Sequence, residues 1–152
     1  MTDKGKEYLL KAKELILARP EHLYMNDWLK GEINEDIDTV RRELRKGNKD
    51  PYQCNTTACI AGWVAMFAVT DGRRQRKNSW GESEEIDDFS LRMLGDHSSD
   101  SLFYVSYWPD DLMHRYSENY DEEDYDEAAK VAAEAIDRFI AGDGSFNTEE
   151  DE

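Results

Sequence analysis

Two cysteines, three histidines and a large store of carboxylates are the groups in this chain that could do chemistry. The thiols come first, because a thiolate serves as nucleophile, metal ligand or redox group. Cys54 precedes a stretch that reads as a helix start, where the dipole lowers a thiol pKa and the amides of Asn55 to Ala58 can hold an anion. On that reading the chain is a small-molecule-binding or thiol redox protein, and His97 or His114 is the imidazole that has to approach. The spacing brings neither to the thiol. As zinc ligands, Cys54 and Cys59 have four residues between them, the upper edge of a zinc-knuckle gap, and no second Cys pair or paired His follows. Cys59 lies in the most apolar part of the chain, where a cysteine behaves as a small hydrophobe. His22, beside a helix end, reads as a surface or capping group.

The carboxylates form two clusters, Glu84, Glu85, Asp87 and Asp88, then Asp121, Glu122, Glu123, Asp124, Asp126 and Glu127. A calcium loop of the EF type needs glycine at its sixth position, and loops started at Asp36, Asp121 or Asp143 all fail there. Paired carboxylates of the glycosidase kind are also conceivable, but acids crowded on a surface helix are the common non-catalytic case. The chain carries no phosphate-binding glycine loop, no nucleophile elbow and no helical two-His metal motif. The expectation is a non-enzymatic protein with no cofactor and no metal.

Charge is distributed as unevenly as the acids. Residues 1–77 hold 15 Lys or Arg against 12 Asp or Glu, whereas residues 78–152 hold 4 against 23. The net charge is −16. Such a field repels nucleic acid and anionic membrane from one half and attracts basic surfaces to it. Direct binding of duplex DNA is therefore disfavoured.

These groups have to be positioned by a single domain, since 152 residues amount to about one domain length. With 5 Phe, 4 Trp and 8 Tyr the chain is too aromatic for disorder. No apolar run nears the ~20 residues that span a bilayer, and the N-terminus lacks the apolar core of a signal peptide. A soluble, cytoplasmic protein is expected.

Periodicity predicts a helix over 3–19, with Tyr8, Leu9, Ala12, Leu15 and Ile16 inward and Pro20 as its stop. Leu23, Tyr24, Met25 and Trp28 then plug the end of the helical layer. A weaker helix follows over 33–46, ending in Arg41, Arg42, Arg45 and Lys46. The segment 54–70 reads as a buried central helix, capped by Asn55, Thr56 or Thr57. Its small residues Ala58, Ala61, Gly62, Ala65 and Ala68 would let another helix approach closely.

A polar loop with Arg73, Arg74, Arg76 and Lys77 leads to an amphipathic helix over 82–94 that buries Ile86, Phe89, Met93 and Leu94 and stops at Gly95. The aromatic run from Leu102 to Trp108 favours helix or irregular core packing over a strand without a partner. Helices are then expected over 110–116 and 122–141, the last with acids crowding its first turns and Gly142 and Gly144 ending it. The fold class expected is all-α, a compact single-domain bundle of five to six helices around a buried central helix. The domain is expected to cover 1–144, and an acidic, mobile tail, 145–152, to follow it.

The run Cys54, Thr56, Cys59, Ala61, Gly62 and Trp63, followed by Leu94 and Gly95, by Leu102, Phe103, Trp108 and Pro109, and by an Ala-rich last helix, resembles a group of small uncharacterised bacterial and phage proteins. In that group the pattern is roughly Cys-Gly-Thr-x-His/Ala-Cys-x-Ala-Gly-Trp, and here Asn55 stands in place of the glycine. The resemblance covers most of the chain apart from about 32–53 and 71–81; it implies a helical domain and transfers no activity. In charge balance the chain is similar to phage anti-restriction and anti-CRISPR inhibitors.

The leading expectation is therefore an acidic interaction protein that mimics nucleic acid, with the ten clustered acids meeting a basic surface of a nucleic-acid-binding protein such as a defence nuclease. An alternative is a self-associating accessory domain, in which Arg41 to Lys46 and Arg73 to Lys77 meet the acidic half of another copy.

Overall fold

The structure is a computed structural model and describes residues 1–20, 23, 59–82, 84–95, 98 and 100–146, with the side chains of 86, 87 and 100 outside that set. The expected helix over 33–46, Cys54, the caps Asn55 to Thr57, His22 and His97 lie outside the described residues, as do residues 147–152.

Helix α1, Asp3–Ala18, forms where the periodicity places it. The Thr2 hydroxyl accepts the Gly5 N–H at 2.9 Å and so satisfies one of the first-turn amides that have no partner within the helix. Gly5, Tyr8, Leu9, Ala12 and Ile16 make its buried face.

Helix α2, Ile60–Thr70, starts later than the expected cap positions, and Cys59 is its N-cap rather than an interior residue. Cys59 has extended backbone, and its Sγ accepts the Gly62 N–H at 3.4 Å. Ile60, Ala61, Trp63, Val64, Ala65, Met66 and Ala68 are fully buried, as the all-round apolar sequence demands.

Helix α3 runs Ile86–Leu94, four residues shorter at its start than expected, because Glu82 and Glu84 are held in the preceding loop. Phe89 and Leu94 are fully buried, Met93 nearly so, and Gly95 ends the helix at φ 122°. The aromatic run becomes two 3-10 turns, Asp100–Phe103 and Val105–Tyr107. The Trp108 indole N–H donates to the Leu102 carbonyl at 2.8 Å, which satisfies a buried donor.

Helix α4 is Asp110–Asp121, extended beyond the expected end at residue 116 because Tyr116 and Tyr120 stack at i, i+4 with ring centroids 5.6 Å apart. Helix α5 is Tyr125–Ala141.

In space α3 packs on α2, α2 on α1, α1 on α5, and α5 on α4. Helix α2 is the most completely buried, and α1 joins the pair α2 and α3 to the pair α4 and α5. Helix α2 meets α3 at one residue of its expected small-residue stripe, where the buried Ser90 hydroxyl donates to the Ala61 carbonyl at 2.7 Å, while Ala58 of that stripe lies outside the described residues. One hydrophobic cluster runs through all five helices, and Phe146 packs its ring on Phe139 with centroids 5.6 Å apart. The fold is all-α, with no strand among the described residues.

Candidate functional site

The two acid clusters fare differently. Glu84 is drawn into the fold, where Arg92 grips it with Nη2 at 2.7 Å from Oε1 and Nε at 3.0 Å from Oε2. Burial pushes the Glu84 carboxyl up, but the Arg92 guanidinium and the Arg76 N–H outweigh it and hold the pKa below the usual carboxylate range. Glu85 is exposed at the N-cap of α3 without a side-chain capping bond, and Asp88 is exposed on that helix. The side chain of Asp87 lies outside the described set. Glu84 is thus a structural acid, a role its sequence context did not signal because Arg92 is eight residues away.

The second cluster occupies the corner between α4 and α5 instead of the first turns of one helix. Asp121 ends α4, Glu122 is its C-cap, Glu123 turns the chain at φ 60°, and Asp124 caps α5 by accepting the Glu127 N–H at 3.3 Å. Asp121, Glu122, Glu123, Asp124 and Asp126 are all exposed. Glu127 is paired with Lys130 at 3.2 Å.

Every cation in residues 78–152 is committed elsewhere. Arg92 holds Glu84, Arg115 holds Glu134 at 3.2 Å, Lys130 holds Glu127, and Arg138 holds Asp111 at 2.8 Å and Glu134 at 2.7 Å. The Arg138 contact holds the Asp111 carboxyl below its ordinary range. Among the described residues no ion pair reaches Asp121, Glu122, Glu123, Asp124 or Asp126.

Behind this corner runs a row of aromatic rings. Trp108 meets Tyr116 at 5.3 Å, Tyr116 stacks on Tyr120, and Tyr120 meets Tyr125 at 5.2 Å. Spacings of this size are attractive for aromatic pairs, so the row stiffens the corner from the core outward. Tyr125 emerges 38% exposed and, with Pro20, Glu123, Asp124 and Asp126, lines an open recess of about 230 Å³. The expected acids were legible as charge, whereas this aromatic support was not: by spacing Tyr125 reads as part of the apolar stripe of the last helix and Tyr116 as the end of the short helix before it, and nothing in the sequence links them through Tyr120.

Cys59 is buried and its Sγ caps α2, in keeping with its reading as a packed residue, while Cys54, on which the thiol reading rests, lies outside the described residues. His114 is exposed on α4. Among the described residues no three of His, Cys, Asp and Glu come together to hold a metal ion, and no helix is long and apolar enough to cross a membrane. No family model matches the chain, and no curated protein or solved structure matches it.

Proposed function

We propose that the protein is a non-enzymatic inhibitor whose acidic corner between α4 and α5 mimics nucleic acid and occupies a basic groove of a nucleic-acid-binding enzyme. The observation that carries this reading is the group of five exposed carboxylates, Asp121, Glu122, Glu123, Asp124 and Asp126, with no ion pair among the described residues. Phosphate-binding channels are lined with Lys and Arg, and a rigid row of carboxylates meets such a channel with complementary potential.

Two features of the placement support it. Asp121 and Glu122 sit at the negative end of the α4 dipole, with no basic residue in the last turn to offset them. Glu123 takes a left-handed conformation that costs a residue with a Cβ about 1–2 kcal/mol. Helix stability favours neither choice, and a requirement for negative charge at this corner accounts for both. The likeness in charge balance to anti-restriction and anti-CRISPR inhibitors makes a defence nuclease the favoured target class.

The test is capture from host lysate with tagged protein at low and then high salt, alongside a variant with Asp121, Glu122, Glu123 and Asp126 all changed to Lys. Asp124 is left intact to keep the α5 cap. A nucleic-acid enzyme retained at low salt, released at high salt, displaced by added duplex DNA and missed by the variant is the expected result. Equal capture by the variant refutes the reading.

A further inference from the structure

The loop between α2 and α3 is built to present one large side chain. Trp80 is 85% exposed, the most exposed large apolar residue described. The loop beneath it is tightly tied. The Asn78 side chain accepts the N–H groups of Trp80 and Glu82 at 2.9 and 3.0 Å, and the Asn78 N–H donates to the Glu82 carbonyl at 3.0 Å. Gly81, at φ 83°, donates its N–H to the Asn78 carbonyl at 3.0 Å. Below the turn, the Glu84 N–H donates to the Arg76 carbonyl at 2.7 Å, and Arg92 clamps both the Glu84 carboxylate and the Arg74 carbonyl. A rigid tip of this kind loses little freedom on docking, and tryptophan is the side chain most often found at the centre of a binding surface.

The tip is also cationic. Arg74, Arg76 and Lys77 are exposed, and no ion pair among the described residues uses them. Two patches of opposite sign thus have no ion pair among the described residues: this loop, and the acidic corner with its open recess beside Tyr125. They lie on different helix pairs, since the loop leads into α3, which packs on α2 and α1, while the corner joins α4 to α5. A nucleic acid or an anionic membrane offered to the loop would also face residues 78–152, with 23 acids against 4 cations. A second copy presents five exposed carboxylates together at its α4–α5 corner, with no ion pair to them among the described residues.

We propose that Trp80 and the cations Arg74, Arg76 and Lys77 dock on the acidic corner of a second copy, each loop entering the recess beside Tyr125 of its partner in a symmetric dimer. In such a pair one rotation makes both contacts, so the interface closes on itself. The dimer would cover the corner assigned above to a target enzyme, so association and target capture compete. The docking itself is a property of this chain alone and is tested without any target.

The measurement is sedimentation velocity over a concentration series near 0.1 M salt, where the Debye length is about 10 Å and long-range repulsion between two acidic molecules is screened. Wild-type protein should move from monomer to dimer mass as concentration rises. Trp80→Ala should weaken the association by about tenfold or more, the loss typical of a central interface tryptophan. One variant carries Arg74→Glu, Arg76→Glu and Lys77→Glu; the other carries Asp121→Lys, Glu122→Lys and Asp126→Lys. Each alone should remain monomeric, and an equimolar mixture of the two should dimerise, because one contact is then the native pair and the other is restored with reversed sign. Helical circular dichroism of each variant shows that it is folded. A wild-type protein that stays monomeric throughout overturns the proposal, as does a mixture that fails to pair while both variants are folded. Wild-type monomer that binds single-stranded nucleic acid or anionic vesicles through Trp80 also overturns it and assigns the loop to that partner instead.

Discussion

Gly5→Ala is expected to destabilise the protein, against the helix propensity that favours alanine. A Cβ at residue 5 would lie 2.6 Å from the Leu94 Cα and 2.7 Å from the Met93 carbonyl oxygen. Both are backbone atoms with no rotamer to yield, and ordinary contact begins near 3.4 Å, so α1 and the end of α3 must part by about 0.8 Å. The same junction holds two hydrogen bonds, from the Thr2 N–H to the Leu94 carbonyl at 2.7 Å and from the Thr2 hydroxyl to the Met93 carbonyl at 2.9 Å. Parting by that much takes both to or beyond the edge of hydrogen-bond distance. Losing them costs about 1 kcal/mol each, and overpacking of a tight contact costs about 1–3 kcal/mol in all. Alanine recovers at most about 1 kcal/mol through propensity. The net loss is about 1–2 kcal/mol, a fall in Tm of roughly 2–8 °C for a chain of this length. Urea and thermal unfolding followed by circular dichroism measure it, with Thr2→Ala and the double variant completing a cycle. The double variant should lose less than the two single losses added together, because Gly5→Ala already breaks what Thr2→Ala removes. Gly5→Ala protein as stable as wild type, or strictly additive losses, would refute the close crossing of α1 and α3.

Three further outcomes follow from contacts described above. In native protein Cys59 should resist alkylation until the protein unfolds, by mass spectrometry of the labelled peptide, and Cys59→Ala should cost about 0.5–2 kcal/mol through loss of the α2 cap, read from urea midpoints. Tyr8 donates to Asp71 at 2.9 Å, and this bond, with the Lys4 ammonium at 3.1 Å, holds the Asp71 carboxyl below its ordinary pKa. That stability is present above the unfolded carboxylate pKa of about 3.9 and is lost as pH falls through the lower folded value, so below about pH 4 wild type should lose stability more steeply than Tyr8→Phe, measured by urea midpoints across pH. Replacing Asp121 and Glu122 together by Lys should raise stability at low salt by about 0.3–1 kcal/mol per residue and do so less at high salt, by thermal unfolding; a loss of stability would mean that these acids serve the fold.

Where apolar periodicity was strong, the sequence was a sufficient guide. Tyr8, Leu9, Ala12 and Ile16 in α1, and Ala129, Ala132, Ile136 and Phe139 in α5, are buried at the spacing their positions imply. The boundaries that moved did so for reasons outside local pattern. Cys59 caps α2 although a thiol is a poorer acceptor than the hydroxyls and amide before it, and its place was hidden because apolar surroundings argued for a helix interior. Glu82 looked like a helix N-terminus, yet Asn78 and Glu82 tie off a turn, and α3 begins only after Glu84 has met Arg92. Tyr116 and Tyr120 lengthened α4 by stacking, a gain that a polar stretch of Asp, Glu, Ser and Asn conceals. For the candidate site, net charge was plain in the composition, but which acids stay uncompensated depends on pairings between helices, such as Arg138 with Asp111 twenty-seven residues away.

Those pairings bear on why the acids gather where they do. A chain with 35 acids and 19 bases could spread its surplus evenly and so keep mutual repulsion low. Here Arg115, Lys130 and Arg138 pair with Glu134, Glu127 and Asp111 on α4 and α5, and among the described residues no ion pair reaches the acids of the corner. Exposed pairs of this kind contribute little to stability, typically about 0–1 kcal/mol, so stability alone is a weak reason for the arrangement. Their effect on local charge is larger: the carboxylates of Asp111, Glu127 and Glu134 are offset at short range by a paired cation, whereas among the described residues no ion pair offsets Asp121, Glu122, Glu123, Asp124 or Asp126. The turn that carries these acids is linked to the core through the ring contacts of Tyr125, Tyr120, Tyr116 and Trp108, which anchor its backbone. Like charge concentrated in one turn, with no ion pair reaching it among the described residues, is costly to the isolated fold, so helix stability alone does not account for its place.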